Sequence, residues 1–125
     1  MPPLILKQLQ YETDTWKRLL DFMMEENISL KIRLSEIIKE KIDPDTLEAL
    51  EDFQSNFIKE DELIGLLRNE VAGLDKLFGT EPFDGGKITR ETEKKMDRLR
   101  NDIILAERQF GKLNLEFNNF LSINM

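Results

Sequence analysis

Carboxylates are the only abundant reactive groups in this chain, and their densest clusters are Glu25-Glu26 and Glu60-Asp61-Glu62. Paired carboxylates can run general acid–base chemistry, or hold a hard divalent cation through oxygen. His and Cys are both absent. That excludes histidine bases, thiol nucleophiles, disulfides, Cys/His zinc sites and axial-His haem. A di-iron bundle needs Glu-x-x-His on two helices and falls with them. An oxygen-only Mg²⁺ or Ca²⁺ site survives on residue types alone, but the clusters read more simply as solvated helix faces. Glycosidase-type chemistry needs a cleft, which a narrow helical rod does not offer. The expectation is no catalytic residue, no metal, no cofactor and no small-molecule substrate.

Two further patterns invite a chemical reading. Asp84-Gly85-Gly86-Lys87 looks superficially like a phosphate loop. However, six residues rather than four separate Gly79 from Gly86, Ile88 stands where Ser or Thr is required, and no strand precedes. Lys87, Arg90, Lys94, Lys95 and Arg98 form a basic run at a helix start, where positive charge opposes the dipole. An anion site is one reading. Neutralisation by Glu81, Asp84, Glu91 and Glu93, or by Asp75 from the preceding helix, is the simpler one.

The elements that carry these residues follow from punctuation and periodicity. Asp43-Pro44 is a helix start, with Asp43 as N-cap and Pro44 at the first helical position. Gly79 suits a left-handed helix end, and Thr89 a third N-cap. The segments between carry apolar residues at alternating gaps of three and four. Leu6, Leu9, Trp16, Leu20, Met23, Leu30, Leu34 and Ile37 mark the first seam, Leu50, Phe53, Phe57, Ile64, Leu67, Val71, Leu74 and Phe78 the second, and Met96, Leu99, Ile103, Ala106, Phe110, Leu113, Phe117 and Phe120 the third. Such spacing puts every member on one side of a helix.

The chain of 125 residues therefore reads as one all-α domain over 1–125, an antiparallel up-down-up bundle of three long helices with coiled-coil-like packing. Helix one covers about 4–41, helix two 44–78, a loop 79–88 and helix three 89–122. Segments of ~34 residues make rods of roughly 50 Å. Facing positions should sum to about 86 across the first connection and about 167 across the second. Trp16 then lies level with Val71 and Met96, Leu30 with Phe57 and Phe110, and Ile37 with Leu50 and Phe117. Phe83, in the second connection, is expected to dock back on the core.

Thr13, Asn27 and Glu60 interrupt the seams, and the same register sets Asn27 level with Glu60 and Ala106. These three residues form the expected polar core layer, with Asn27 donating its amide to the Glu60 carboxylate and so fixing register, as single polar residues do in coiled coils. A pocket for an ion or small ligand is the competing reading.

Charge is uneven. Residues 1–42 are neutral, 43–78 carry −7, 79–86 carry −2 and 87–125 carry +2, for a net −7 and an isoelectric point near 4.7. The acidic second helix should attract the mildly basic third. Overall acidity argues against nucleic acid and anionic membranes as partners. The longest apolar run is Ile103 to Ala106, so no segment is a membrane span. Leu4-Ile5-Leu6 is too short for a signal-peptide core, and the expected compartment is the cytoplasm.

Several large apolar residues point away from the seams: Phe22, Ile28 and Ile32 on helix one, Leu66 and Leu77 on helix two, and Ile104 and Leu115 on helix three, with Gly111 allowing close approach. Several per helix suggest an interface. The bland alternative is a wide core that covers them within one chain. The expected function is a non-enzymatic helical interaction protein, a scaffold or adaptor that self-associates as a homodimer, helix one contributing most. The alternative is a small acidic chaperone or regulator that sequesters an apolar helix of a partner protein.

Overall fold

The computed structural model describes residues 3–80 and 90–125. Three α-helices occupy nearly all of them: α1 (Pro3–Ile38), α2 (Pro44–Thr80) and α3 (Arg90–Asn124). At 36, 37 and 35 residues, each is a rod of roughly 50–55 Å. None of these helices is long and apolar enough to cross a membrane.

The start of α2 forms as its residues dictate. The Asp43 carboxylate accepts the Thr46 backbone N–H at 3.0 Å, and the Asp43 carbonyl takes the first helical bond, from Leu47 N at 3.0 Å. Three helix ends differ from the sequence expectation. α1 stops at Ile38 rather than 41, its end closed by a tighter bond from Glu40 N to Ile37 O at 3.0 Å. α2 runs through Gly79 to Thr80, so Gly79 is helical and not a left-handed stop. α3 continues to Asn124, where the Asn124 amide donates to the Phe120 carbonyl at 2.9 Å. Thr89, Lys87, Phe83 and the Asp84–Lys87 stretch lie outside the described residues.

Helix direction is legible in the cross-helix contacts. Along α1, Lys17, Asp21 and Lys31 pair with Asp75, Arg68 and Asp61 of α2, so the α2 partner falls as the α1 position rises. The two helices are antiparallel. Glu70 meets Arg98, and Phe53 meets Phe117, so α2 and α3 are antiparallel too. Glu12 meets Arg100, and Arg33 meets Asn118, so α1 and α3 run the same way. The bundle is up-down-up. α1 and α2 share the most extensive interface, and α1 and α3 touch least.

One apolar core runs along the seams, from Trp16, Leu74 and Met96 to Leu34, Leu50 and Leu121. Near one end an aromatic knot forms. Phe117 is fully buried and edge-on to Phe57 at 5.1 Å and to Phe53 at 5.2 Å, and Phe120 adds a contact to Phe53 at 5.5 Å. This corrects the register of α3. Phe117 lies between the levels of Phe53 and Phe57 rather than at that of Leu50. Relative to α1, the Glu12–Arg100 and Arg33–Asn118 contacts move α3 by roughly one to two turns from the expected alignment. Part of the reason is that α2 continues past Gly79 to Thr80 and α3 begins at Arg90, both later than the glycine suggested. Further along α3, Leu121 is buried while Phe120 is half-buried. The seam drifts because 3.6 residues per turn do not divide a seven-residue repeat.

Candidate functional site

Two features stand outside the apolar core: a polar layer at mid-height and a set of exposed apolar side chains. Asn27 carries the layer. Its position on the α1 seam makes it a knob facing a hole on α2, whose corners at this register are Phe57, Glu60, Asp61 and Ile64. Asn27 is fully buried. Its amide nitrogen donates to the Phe57 carbonyl at 2.9 Å and to Asp61 Oδ1 at 2.6 Å. The other Asp61 oxygen accepts from Lys31. Asn27, Asp61 and Lys31 thus form a chain that ties α1 to α2.

The expected pairing of Asn27 with Glu60 is therefore corrected: the acceptor is Asp61, one residue further on. Glu60 is nonetheless buried, at 8% exposure. It borders the α2–α3 groove with Lys59, Gln109, Lys112, Leu113 and Glu116. Burial holds its carboxyl above the ordinary value of 4.5. Two buried oxygens of the layer, Asn27 Oδ1 and Glu60 Oε2, have no hydrogen-bond partner among the described residues. Ala106 is buried as well, but it does not complete this layer. The α3 residue that shares a groove with Glu60 is Leu113 rather than Ala106. The α3 displacement described above is the reason. Thr13, the third seam interruption, is buried and returns its hydroxyl to the Gln10 carbonyl at 2.9 Å. Thr92 is a buried polar residue of the α3 seam's first turn that apolar patterning passes over.

The charges also pair differently from expectation. Asp75 binds Lys17 of α1 rather than the basic start of α3. With Asp61 on Lys31 as well, the acidic surplus of α2 is met mainly by α1 among the described residues. α3 contributes only the looser Arg98–Glu70 pair at 3.9 Å. The lysines responsible, 17 and 31, flank the α1 seam on the side that faces α2. α1 and α3 are joined by a two-toothed bridge: Arg100 Nε and Nη2 donate to the two Glu12 carboxylate oxygens at 2.6 and 2.8 Å. The Glu12 hydrogen bond is the main cause of the raised Arg100 pKa. Arg90, Lys94 and Lys95 are exposed, with Glu91 and Glu93 beside them in the first turn. Among the described residues, no group of three acidic side chains is placed to hold a metal ion.

Phe22, Ile28, Ile32, Leu66, Leu77, Ile104 and Leu115 are all 40–62% exposed. The wide-core alternative, which would cover them within one chain, does not hold. Gly111 is exposed, and a Cβ added there would meet nothing within 4 Å. Tyr11, Ile58, Leu105, Ile123 and Met125 join the exposed set, although the seam pattern did not single them out. Helical phase and the observed register distribute these residues around the bundle rather than on helix one alone. Ile28 of α1 and Ile58 of α2 lie on the sides of their helices that carry the Lys31–Asp61 pair. Phe22 lies within about a turn of Ile104 on the rims of the α1–α3 groove.

Comparison with protein families, with curated proteins and with solved structures finds no match.

Proposed function

We propose that this chain is a non-enzymatic helical interaction protein, a scaffold or adaptor that self-associates as a homodimer through exposed apolar helix faces. The observation that carries this reading is the set of large apolar side chains outside a core that is already filled. Single exposed apolar residues are ordinary. Here every helix carries several of them, and a further helix can lay its own apolar face on such a surface.

A second reading draws on the sparse contact between α1 and α3. That groove, rimmed by Phe22 and Ile104, suits an apolar helix of another protein, and the chain would then act as a chaperone or regulator of that partner.

Light scattering on the wild type and on Ile28→Glu/Ile32→Glu separates the two. The homodimer predicts twice the 14.7 kDa chain mass at micromolar concentration, reduced to one chain mass by the paired substitutions. A dimer that survives them but yields to Phe22→Glu/Ile104→Glu moves the interface to the α1–α3 groove. A wild-type mass of one chain refutes self-association.

A further inference from the structure

We infer that Glu60 and Asn27 share a proton at the middle of the bundle: a neutral Glu60 carboxyl donates to Asn27 Oδ1, making this layer a proton-dependent clasp between α1 and α2. The argument begins with which atoms are already used. The Phe57 carbonyl and the Asp61 carboxylate both accept, so Asn27 must turn its nitrogen toward them. Its oxygen is left as a buried acceptor. Glu60 Oε2 is buried on α2 between the two residues that Asn27 binds, Phe57 and Asp61, and neither oxygen has a partner among the described residues. An ionised carboxylate offers only acceptors, so an ionised Glu60 leaves both oxygens unsatisfied, at a cost to folding. A single proton supplies the one donor the layer lacks.

The surrounding charges do not supply that donor. On α1, Lys31 is held by Asp61. On α2, Lys59 is exposed at the groove edge. On α3, Lys112 lies 3.8 Å from Glu116 on the far side of the same groove. Burial pushes the Glu60 carboxyl up, in agreement with the geometry. The sign follows. A carboxyl raised in the folded state contributes stability that is complete below its ordinary value of 4.5 and is lost as pH rises through the folded value. Above that value, a charge enters the layer and the clasp opens.

The test is the carboxyl carbon resonance of Glu60, followed through a pH titration of the full chain in the wild type, Asn27→Leu and Lys112→Gln. In the wild type, Glu60 is expected to titrate above 4.5. Asn27→Leu separates the shared proton from plain desolvation, because the two have opposite signs. Loss of the acceptor lowers the midpoint, whereas a more apolar neighbour alone raises it. Lys112→Gln should leave the midpoint within a small fraction of the Asn27→Leu change. Glu60→Gln provides a second measurement that does not depend on the folding of Asn27→Leu. Its amide donates at every pH, so its thermal midpoint relative to wild type should rise steadily as pH rises from 4.5. An unchanged or raised midpoint in Asn27→Leu, a wild-type Glu60 that titrates at or below 4.5, or a Glu60→Gln difference that does not change with pH overturns the inference.

Discussion

The aromatic knot gives the α3 register an energetic signature. Phe117 is fully buried, with Phe57 edge-on at 5.1 Å and 88° and Phe53 at 5.2 Å and 62°. A buried ring removes on the order of 150–200 Å² from water, equivalent to about 4–5 kcal/mol at ~25 cal/mol per Å². Phe117→Ala keeps part of that surface but adds a cavity, so a loss of about 3–5 kcal/mol is expected. A chain of 125 residues has a total stability of roughly 6–19 kcal/mol at ~0.05–0.15 kcal/mol per residue. The alanine variant therefore sits near the edge of folding, and a gentler cycle is preferable. Phe57→Leu, Phe117→Leu and the double variant should show a coupling of about 0.5–1.5 kcal/mol beyond the sum of the single effects. The pair Phe57 and Phe110, which the sequence alone set level, has no ring contact among the described residues and should couple less. The assay is urea unfolding followed by circular dichroism at one fixed protein concentration, since association would make the midpoint concentration-dependent. A coupling below ~0.3 kcal/mol for Phe57 with Phe117, or an equal one for Phe57 with Phe110, refutes the register described here.

Two further predictions concern the helix ends and faces. The Asp43 carboxyl is held below its ordinary 3.8, first by its side-chain bond to Thr46 and then by the Thr46 backbone N–H. A lowered carboxyl contributes stability above 3.8 that is lost as pH falls through the folded value. Asp43→Ala should therefore melt below wild type at neutral pH, with the gap closing in strong acid, as read by thermal scans across pH. Gly111 is exposed within α3 with open space around it, so Gly111→Ala should stabilise the chain by about 0.5–1 kcal/mol, a rise of roughly 1–6 °C in Tm. A fall in Tm instead means that another chain's backbone approaches at that point.

Much of the bundle follows from local rules. The 3/4 spacing of apolar residues determines that there are three helices and which side of each is buried, because that periodicity is a property of the individual helix. The Asp43-Pro44 start follows from the same short-range chemistry: a cap needs an acceptor side chain, and a first-turn proline needs no N–H partner. The outward direction of Phe22, Ile28, Ile32, Ile104 and Leu115 is a matter of helical phase alone. How α3 slides along its neighbours is not local. It depends on where α2 ends, and Gly79 can be helical as well as left-handed, so only packing of Phe117 between Phe53 and Phe57 decides the alignment. The partner of Asn27 was hidden for a related reason. Asp61 sits just off the seam, where periodicity reads a surface residue. Only the docked α1, with Asn27 in its hole and Lys31 beside it, turns Asp61 into the acceptor and leaves Glu60 buried next to it.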